Sequence, residues 1–415
     1  KYDELSENLF VRYIATGALW KMGDMFQLSV ELYDTQETKV IWSDRWQENW
    51  DNLTNIKGNL SDGLLKALDT KPKVERKLET TNTEAYEYYL KGKYKFQKRN
   101  SEDEIEISRG LIKKAIELDD NLITAKIYLG WTYFLMGEND KAFELYSLTL
   151  KQAKGVDDKY GIAGSLNGLS GVYIEKLDYD TALSYIIQAL KIWNEIDNKY
   201  GLGVCINNFG IIYSDNGNYD KALDYFEKSL EIVEEVGDKL RMGYSFSNIG
   251  KVYEAKGEYN KALDCFTRSL KLREEIGDKY FIQYDLNSIG IIYYRKRLYK
   301  LAEEYINKSL AIKKQIKGWA ALDGAGNVWS VIYLCLTYKK LNKKYDIKEI
   351  QTLIKEAEDI DYKINYPIYE LLEDTSYLET AYNQIQEKAD NLEPDVATKF
   401  LSYPIPKAIV EEWEK

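Results

Sequence analysis

The feature that most constrains the fold of this chain is a unit of forty residues that recurs along it. The segment NNFGIIYSDNGNYDKALDYFEKSLEIVEEVGDK, Asn207–Lys239, returns as SNIGKVYEAKGEYNKALDCFTRSLKLREEIGDK at Ser247–Lys279. Four positions keep this spacing through five units, and they are occupied by a large apolar residue (Leu129, Leu169, Phe209, Ile249, Ile289), a tyrosine (Tyr133, Tyr173, Tyr213, Tyr253, Tyr293), an alanine (Ala142, Ala182, Ala222, Ala262, Ala302) and a leucine (Leu150, Leu190, Leu230, Leu270, Leu310). Strict self-similarity predicts a solenoid, in which each unit buries its apolar face against the next. A chain of 415 residues then needs no single large core.

Each unit is predicted to form two antiparallel helices. Apolar residues follow helical spacing on both sides of the turn sequence DNGNY, Asp215–Tyr219. Gly217 and Gly257 are predicted to close the first helix in the left-handed conformation, and Asn218 is predicted to cap the second. Gly237 and Asp238 repeat this chemistry before the next unit.

Glycines inside the first helix require a compensating contact. Gly210, Gly250 and Gly290 each cost about 1 kcal/mol relative to alanine in a helix interior. The expected gain is close approach of the paired helix. There the alanines of the second helix should lie opposite as small partners, so that large neighbours interlock: Ala222, Ala262 and Ala302.

The order of a large apolar residue, Gly, Tyr, Gly, Ala and an aromatic resembles the tetratricopeptide repeat over Asn121–Ala320. The sequence AIELDDNLITA, Ala115–Ala125, resembles the end of an earlier repeat of ordinary length that begins near Glu84. The forty-residue version resembles the repeats of kinesin light chains and of Pins-type polarity adaptors, which are peptide-binding arrays. The resemblance implies a right-handed superhelix of helix pairs.

The first seventy residues follow a different period. In MFQLSVELY, from Met25, apolar and polar residues alternate as in a half-buried strand. Flanking strands are predicted in VRYIATGALW, from Val11, and in KVIWSDRW, from Lys39. A helix should follow, with its apolar face formed by Leu53, Ile56, Leu60, Leu64 and Leu68. The predicted fold is therefore mostly α: a solenoid with a small N-terminal α+β domain of three antiparallel strands and a helix.

Both ends of the chain resemble parts of bacterial class III adenylate cyclases and related kinase-repeat proteins. The sheet region resembles the small domain that lies between the catalytic domain and the repeats of such proteins. The segments Tyr369–Pro394 and Phe400–Lys415 resemble their closing region, and Pro367 and Pro404 suit the first turn of new helices there. The predicted organisation is a sheet domain at 1–70, a linker at 71–83, repeats at 84–320, and C-terminal helical repeats that cap the stack at 321–415.

Composition excludes several classes of partner and compartment. A net charge of -11 and a pI near 5.0 argue against nucleic acid, because phosphate neutralisation needs clustered Lys and Arg. Three cysteines at wide spacing form neither a disulfide framework nor a zinc site. No apolar run approaches the ~20 residues of a membrane helix, and KYDELSENLF, from Lys1, does not have the order of a signal peptide. A cytoplasmic bacterial protein without a cofactor is expected.

Catalysis is not expected from this sequence. It contains no histidine, which removes the Ser-His-Asp triad, the Cys-His pair and the commonest general base. It also contains no phosphate-binding GxxxxGK[ST] sequence. Any catalytic domain implied by the resemblance would lie upstream of Lys1.

Binding residues are predicted on the first helices, since these line the concave groove of such an array. Two positions before the apolar landmark lie Asn167, Asn207, Ser247 and Asn287. Asparagine is a poor helix former, so either each amide bonds a neighbouring helix or the row grips the backbone of an extended peptide. One helical turn on or back, the same face adds Ile211, Lys251, Ile291, Tyr294, Tyr244 and Tyr284.

Two functions remain open from the sequence. The first is a protein–protein interaction module that serves as the regulatory tail of a bacterial signalling enzyme of the cyclase or kinase kind. The second is a free-standing structural adaptor or assembly factor with no attached enzyme. In both, the partner is a protein or peptide. A third possibility is a small-molecule sensor inside the closed superhelix.

Overall fold

A computed structural model describes residues 13–22, 25–35, 37–49, 60, 64, 66–68, 80, 82–97, 101–315, 324–357 and 360–415. The described residues form a mostly helical solenoid of helix pairs and a small antiparallel sheet near the N-terminus, as the sequence predicts. They fall into two compact units. Unit 1 lies within residues 1–92 and 110–126, and unit 2 lies within residues 93–109 and 127–415.

The sheet of unit 1 has three strands in the order of the chain: β1 (Tyr13–Met22), β2 (Met25–Asp34) and β3 (Lys39–Asn49). Both pairs are antiparallel, and Leu28 of β2 lies opposite Leu19 and Trp46. The predicted alternation in β2 is confirmed, because Phe26, Val30 and Leu32 are buried on one face. Most of the predicted following helix, including Leu53 and Ile56, and the linker up to residue 79 lie outside the described residues.

The solenoid helices follow in chain order: α1 (Thr83–Gln97), α2 (Glu102–Leu118), α3 (Ile123–Leu135), α4 (Asn139–Gly155), α5 (Lys159–Glu175), α6 (Tyr179–Glu195), α7 (Lys199–Asp215), α8 (Tyr219–Val236), α9 (Lys239–Ala255), α10 (Tyr259–Ile276), α11 (Lys279–Arg295), α12 (Tyr299–Gln315), α13 (Gly324–Lys340), α14 (Ile347–Glu356), α15 (Tyr362–Leu372), α16 (Thr375–Asp390), α17 (Pro394–Leu401) and α18 (Pro404–Trp413). The first helices of the forty-residue units are α3, α5, α7, α9 and α11, and the second helices are α4, α6, α8, α10 and α12.

The predicted turn chemistry is confirmed. Gly217 and Gly257 follow the first helices with φ of +77° and +78°, a conformation that costs glycine little. Asn218 Oδ1 accepts a hydrogen bond from the backbone N–H of Lys221 at 3.3 Å, and Asp238 Oδ1 accepts one from Arg241 at 3.1 Å. These helices therefore start and stop through local side-chain and backbone contacts.

The glycines inside the first helices make room for larger side chains of the paired helix rather than for alanines. A Cβ built on Gly210 would lie 2.5 Å from the Phe226 ring, and one on Gly250 would lie 3.1 Å from the Phe266 ring. At Gly290 the neighbouring side chain is Ile306. The expectation that large neighbours interlock is correct. Their closest partners, however, are the residues one turn after Ala222 and Ala262, because those side chains reach across the helix pair.

The helices after the last forty-residue unit do more than cover its end. The helix α13 packs on α11 and α12 through Ile332 and Leu336. In contrast, α15 to α18 fold back along unit 2, and their apolar residues join one buried cluster with α8 and α9: Tyr362, Tyr366, Leu378, Ala381, Ile385, Phe400, Tyr403 and Ile409. This long-range contact has no counterpart in the repeat pattern.

The two prolines singled out in the C-terminal region behave differently. Pro404 begins α18, as predicted. Pro367 lies in the middle of α15, so its predicted place in a first turn is wrong. Asp361 caps α15 further back by accepting from Lys363 N–H at 3.0 Å, and the buried residues Ile364 and Ile368 keep the helix continuous across the proline.

Candidate ligand-binding stripe

Residues of the first helices in unit 2 form the candidate site, which we call the first-helix stripe. It comprises the predicted residues Asn167, Asn207, Asn287, Tyr244, Tyr284, Lys251, Tyr294, Ile211 and Ile291, together with Ser247. The structure places them on α5, α7, α9 and α11, which follow one another along the solenoid. Their exposure and bonding differ from one helix to the next.

Two of the asparagines bond the neighbouring first helix. Asn167 Oδ1 accepts a hydrogen bond from the Cys205 thiol at 2.9 Å, and Asn207 Oδ1 accepts one from Asn248 Nδ2 at 3.0 Å. Burial raises the pKa of Cys205 to about 12, so its thiol keeps the proton that it donates. In this structure the amides thus serve as struts between helices, which is one of the two alternatives that the sequence leaves open.

The next two members of this row are buried. Ser247 is 3% exposed, and its hydroxyl donates to Asp285 Oδ1 at 2.9 Å. Asn287 is 6% exposed, so its expected exposure to a groove is not found. Its Oδ1 atom has no hydrogen-bond partner among the residues that the structure describes.

The C-terminal helices cover the stripe on α11. Ile291 is 1% exposed and Tyr294 is 8% exposed. Both belong to a buried cluster that includes Ile364, Ile368 and Leu371 of α15. The expectation that Ile291 and Tyr294 face an open groove is therefore wrong, because later helices share this cluster, including α13, whose Tyr333 ring lies 5.4 Å from the Tyr294 ring.

The open part of the stripe is aromatic and cationic. Tyr244 and Tyr284 are half-buried, and Lys251 is exposed. The Lys251 ammonium lies 4.8 Å from the centroid of the Tyr284 ring, which is a cation–π distance. The Tyr244 ring meets the Phe281 ring edge-on at 4.8 Å. The partly buried Ile211 packs against two apolar clusters, so it contributes more to packing than expected.

A buried ion pair behind this stripe is not predicted by the sequence analysis. Arg273 Nη1 lies 2.8 Å from Asp285 Oδ1, and the two side chains are 2% and 0% exposed. Burial raises the pKa of Asp285, whereas Arg273 and two serine hydroxyls oppose this effect. Alignment of the units would have indicated this pair, because forty residues earlier the same two positions hold the uncharged residues Val233 and Ser245.

Charges of both signs lie near the C-terminal ends of the first helices. A cleft of ≈ 250 Å³ is lined by Tyr179, Asp215, Asn216, Gln384, Glu387, Lys388, Asn391 and Leu392. Burial and the neighbouring Lys363 lower the pKa of Lys388 to about 8. Burial raises the pKa of Glu254, although Arg295, Lys363 and Lys251 act against it. The C-terminal helices thus add lysines to a surface that would otherwise be made by repeats alone.

Neither a metal site nor a membrane-spanning helix is found among the described residues. Across those ranges, no three Cys, Asp or Glu side chains are close enough to hold a metal ion. Nor does any helix there have the length and apolar character needed to cross a membrane.

Comparisons with known proteins agree with the repeat architecture. Residues 161–235, 202–275 and 241–315 each match the family model of the tetratricopeptide repeat. The predicted tetratricopeptide repeats are therefore confirmed in this range. No curated protein sequence matches the chain significantly.

Two solved structures share the fold over most of the chain. The Rap protein complexed with competence and sporulation factor is 15% identical, with a TM-score of 0.53, and the match covers 88% of this chain and 96% of that one. NprR in complex with its cognate peptide NprX is 16% identical, with a TM-score of 0.50 and the same coverages of 88% and 96%. At such identities the likeness concerns the fold alone.

Proposed function

We propose that unit 2 is a peptide-binding module and that its ligand lies along the open part of the first-helix stripe. The observation that carries this proposal is the pair Tyr244 and Tyr284, which occupy the same position in successive units and remain partly exposed. Tyrosine offers a rigid apolar surface with a polar tip, and such residues dominate recognition surfaces. NprR, whose fold is similar, was solved with a bound peptide, which supports this class of ligand.

The residues of the stripe have distinct proposed roles. Tyr244 and Tyr284 contact side chains of the ligand, and Lys251 pairs with an acidic group or carbonyl beside Tyr284. Asn167 and Asn207 exchange their bonds to Cys205 and Asn248 for bonds to the ligand backbone. Asn287, Ile291 and Tyr294 are buried, so they can take part only where neighbouring helices move aside.

We further propose a regulatory setting for this module. Attachment to a bacterial signalling enzyme, of the cyclase or kinase kind that the sequence resembles, would make unit 2 a ligand-responsive tail. The alternative is a free-standing cytoplasmic adaptor. The coding sequence upstream of Lys1 distinguishes the two, because a catalytic domain there supports the tail and an adjacent start codon supports the adaptor. A repeat fold is generally non-catalytic, which fits either setting.

The test uses a pool of synthetic hexapeptides with randomised residues, incubated with the immobilised full chain. Bound peptides are identified by mass spectrometry, and the affinity of the strongest is measured by calorimetry. We expect Tyr244→Ala with Tyr284→Ala to weaken binding about tenfold or more at a temperature where the variant is still folded, because two apolar anchors are lost.

The matched control is Tyr94→Ala, which removes a tyrosine that is 60% exposed and lies outside the stripe. This variant should bind like the parent protein. If no peptide of the pool is retained, or if the double tyrosine variant binds as tightly as the control, the proposed function is wrong.

A further inference from the structure

The buried ion pair Arg273–Asp285 is unusual within its own chain. The unit before it solves the same packing problem with Val233 and Ser245, and the unit before that uses Trp193 and Cys205. Replacing a buried ion pair by apolar residues of similar volume is often neutral or stabilising, since two charges must otherwise be desolvated. Stability alone therefore does not explain why one unit carries charges where its neighbours do not.

The bonds of Asp285 lead to the first-helix stripe. Its Oδ1 atom accepts from Ser247 Oγ at 2.9 Å, and its Oδ2 atom accepts from Ser269 Oγ at 2.7 Å. Ser247 belongs to the stripe on α9, and Tyr284, the neighbour of Asp285, belongs to it on α11. The carboxylate thus joins α9, α10 and α11 directly behind the stripe.

Arg273 contacts two aromatic residues at the first-helix stripe, Phe281 and Tyr244. Its guanidinium lies 4.7 Å from the Phe281 ring and 5.7 Å from the Tyr244 ring, and Nη1 donates to the Phe281 carbonyl oxygen at 3.0 Å. Phe281 in turn meets Tyr244 edge-on. A planar, fully charged donor in this position restricts both rings, because it is itself held by Asp285.

We propose that Arg273 and Asp285 are positioning residues of the ligand-binding stripe, and that they fix Tyr244 and Ser247 of α9 against Phe281 and Tyr284 of α11 in the arrangement that binds a peptide. This inference rests on the proposed function. Preorganisation raises affinity because fewer rotamers must be frozen when the ligand arrives. The preceding unit, with Val233 and Ser245, folds without this device, so its role concerns the stripe rather than the helix pair.

The chain supplies its own replacement for the pair. The double variant Arg273→Val with Asp285→Ser copies the preceding unit, so we expect it to fold and to melt close to the parent protein. We expect its affinity for the strongest hexapeptide of the randomised pool to fall about tenfold, because the tyrosines are no longer held. Arg268→Val is the control, since it removes an arginine of the same helix whose side chain is 55% exposed; it should leave affinity unchanged.

A direct readout separates positioning from folding. With 3-fluorotyrosine incorporated at position 244, the parent protein should give one narrow fluorine resonance, and the double variant should give a broadened or shifted one. If the double variant does not fold, Ser247→Ala, which removes the hydrogen bonds of this hydroxyl to Asp285 and Ser269, is measured in the same two assays and should also weaken binding.

The outcomes distinguish the two proposals. Weaker binding at a retained Tm with an altered fluorine signal supports the positioning role. Parent-like binding by a folded double variant, or by Ser247→Ala where the double variant does not fold, overturns it and leaves the peptide-binding proposal standing. If the parent protein itself retains no peptide, both proposals fail.

Discussion

At the scale of single residues, the glycines inside the first helices are required because larger side chains of the paired helix fill the space beside them. Gly250 faces the Phe266 ring so closely that an added Cβ would lie 3.1 Å from it. Gly110, inside α2, has no atom within 4 Å of such a Cβ. The same residue type thus has a packing role at one position and none at the other.

This contrast gives a prediction for Gly250→Leu. The larger side chain should lower the free energy of unfolding by roughly 1 to 3 kcal/mol, because it forces the Phe266 ring out of its site. Gly110→Leu should be neutral or stabilising, since leucine favours a helix by about 0.5 to 1 kcal/mol over glycine. Urea unfolding of both variants measures the difference. Equal midpoints for Gly250→Leu and the parent protein would contradict the close contact.

At the scale of elements, the turns between paired helices also receive the C-terminal helices. A Cβ on Gly217 would lie 2.9 Å from the Phe400 ring of α17, and one on Gly257 would lie 2.7 Å from Pro404 of α18. Lys399 of α17 forms an ion pair with Asp220, which also pairs with Lys256 at 2.8 Å. The glycines therefore serve twice, since they allow a positive φ and they leave space for a distant helix.

A matched pair of substitutions separates these two roles. Gly237 has a φ of +73° but nothing within 4 Å of an added Cβ, so Gly237→Ala should cost only the backbone strain of about 1 to 2 kcal/mol. Gly217→Ala should cost about 1 to 3 kcal/mol more, because Phe400 must also shift. The excess should vanish in the background of Phe400→Ala, a double-mutant cycle read by thermal unfolding. An excess that persists in that background would show that Phe400 is not its cause.

At the scale of unit 2, Lys363 and Lys388 lie close enough to Asp215 to feel its charge but form no ion pair with it. Among the described residues, neither Lys363 nor Lys388 has a carboxylate oxygen within ion-pair distance. The Lys388 ammonium lies 5.8 Å and 5.6 Å from the ring centroids of Tyr362 and Phe400, and burial lowers its pKa to about 8. A charge in this place opposes folding at neutral pH.

The sign of the pH dependence follows from that shift. Because the pKa of Lys388 is lower in the folded chain than the ordinary value of 10.5, the unfolded chain binds more protons above pH 8. The contribution of Lys388 should therefore make the protein more stable as pH rises from about 8 to about 9.5, by about 1 kcal/mol after allowance for partial exposure. Lys388→Met should remove this rise and raise the Tm at pH 7, whereas Lys407→Met, at a side chain that is 60% exposed, should do neither. A parent-like pH profile in Lys388→Met would contradict the shift.

The sequence by itself determined the features that depend on neighbours along the chain. The forty-residue period, the helix pairs, the left-handed glycines at 217 and 257 and the strand alternation in β2 all follow from local conformation and from a face that repeats. A row of asparagines and tyrosines on the first helices could be identified in the same way. Whether each of them would be exposed could not.

Only the tertiary structure decided what covers each repeated position. Equivalent residues of successive units have equivalent sequence signals, yet Ile291 and Tyr294 are buried in a cluster with α13 and α15, whereas Lys251 is open. The sequences of α15 to α18 do not follow the forty-residue repeat. Their packing against Gly217 and Gly257 therefore cannot be predicted from the spacing of residues along the chain. The pairing of Arg273 with Asp285 also depends on the tertiary structure. These two charged residues are twelve positions apart in the sequence, and they become partners only because two helices bring them together in a space closed to water.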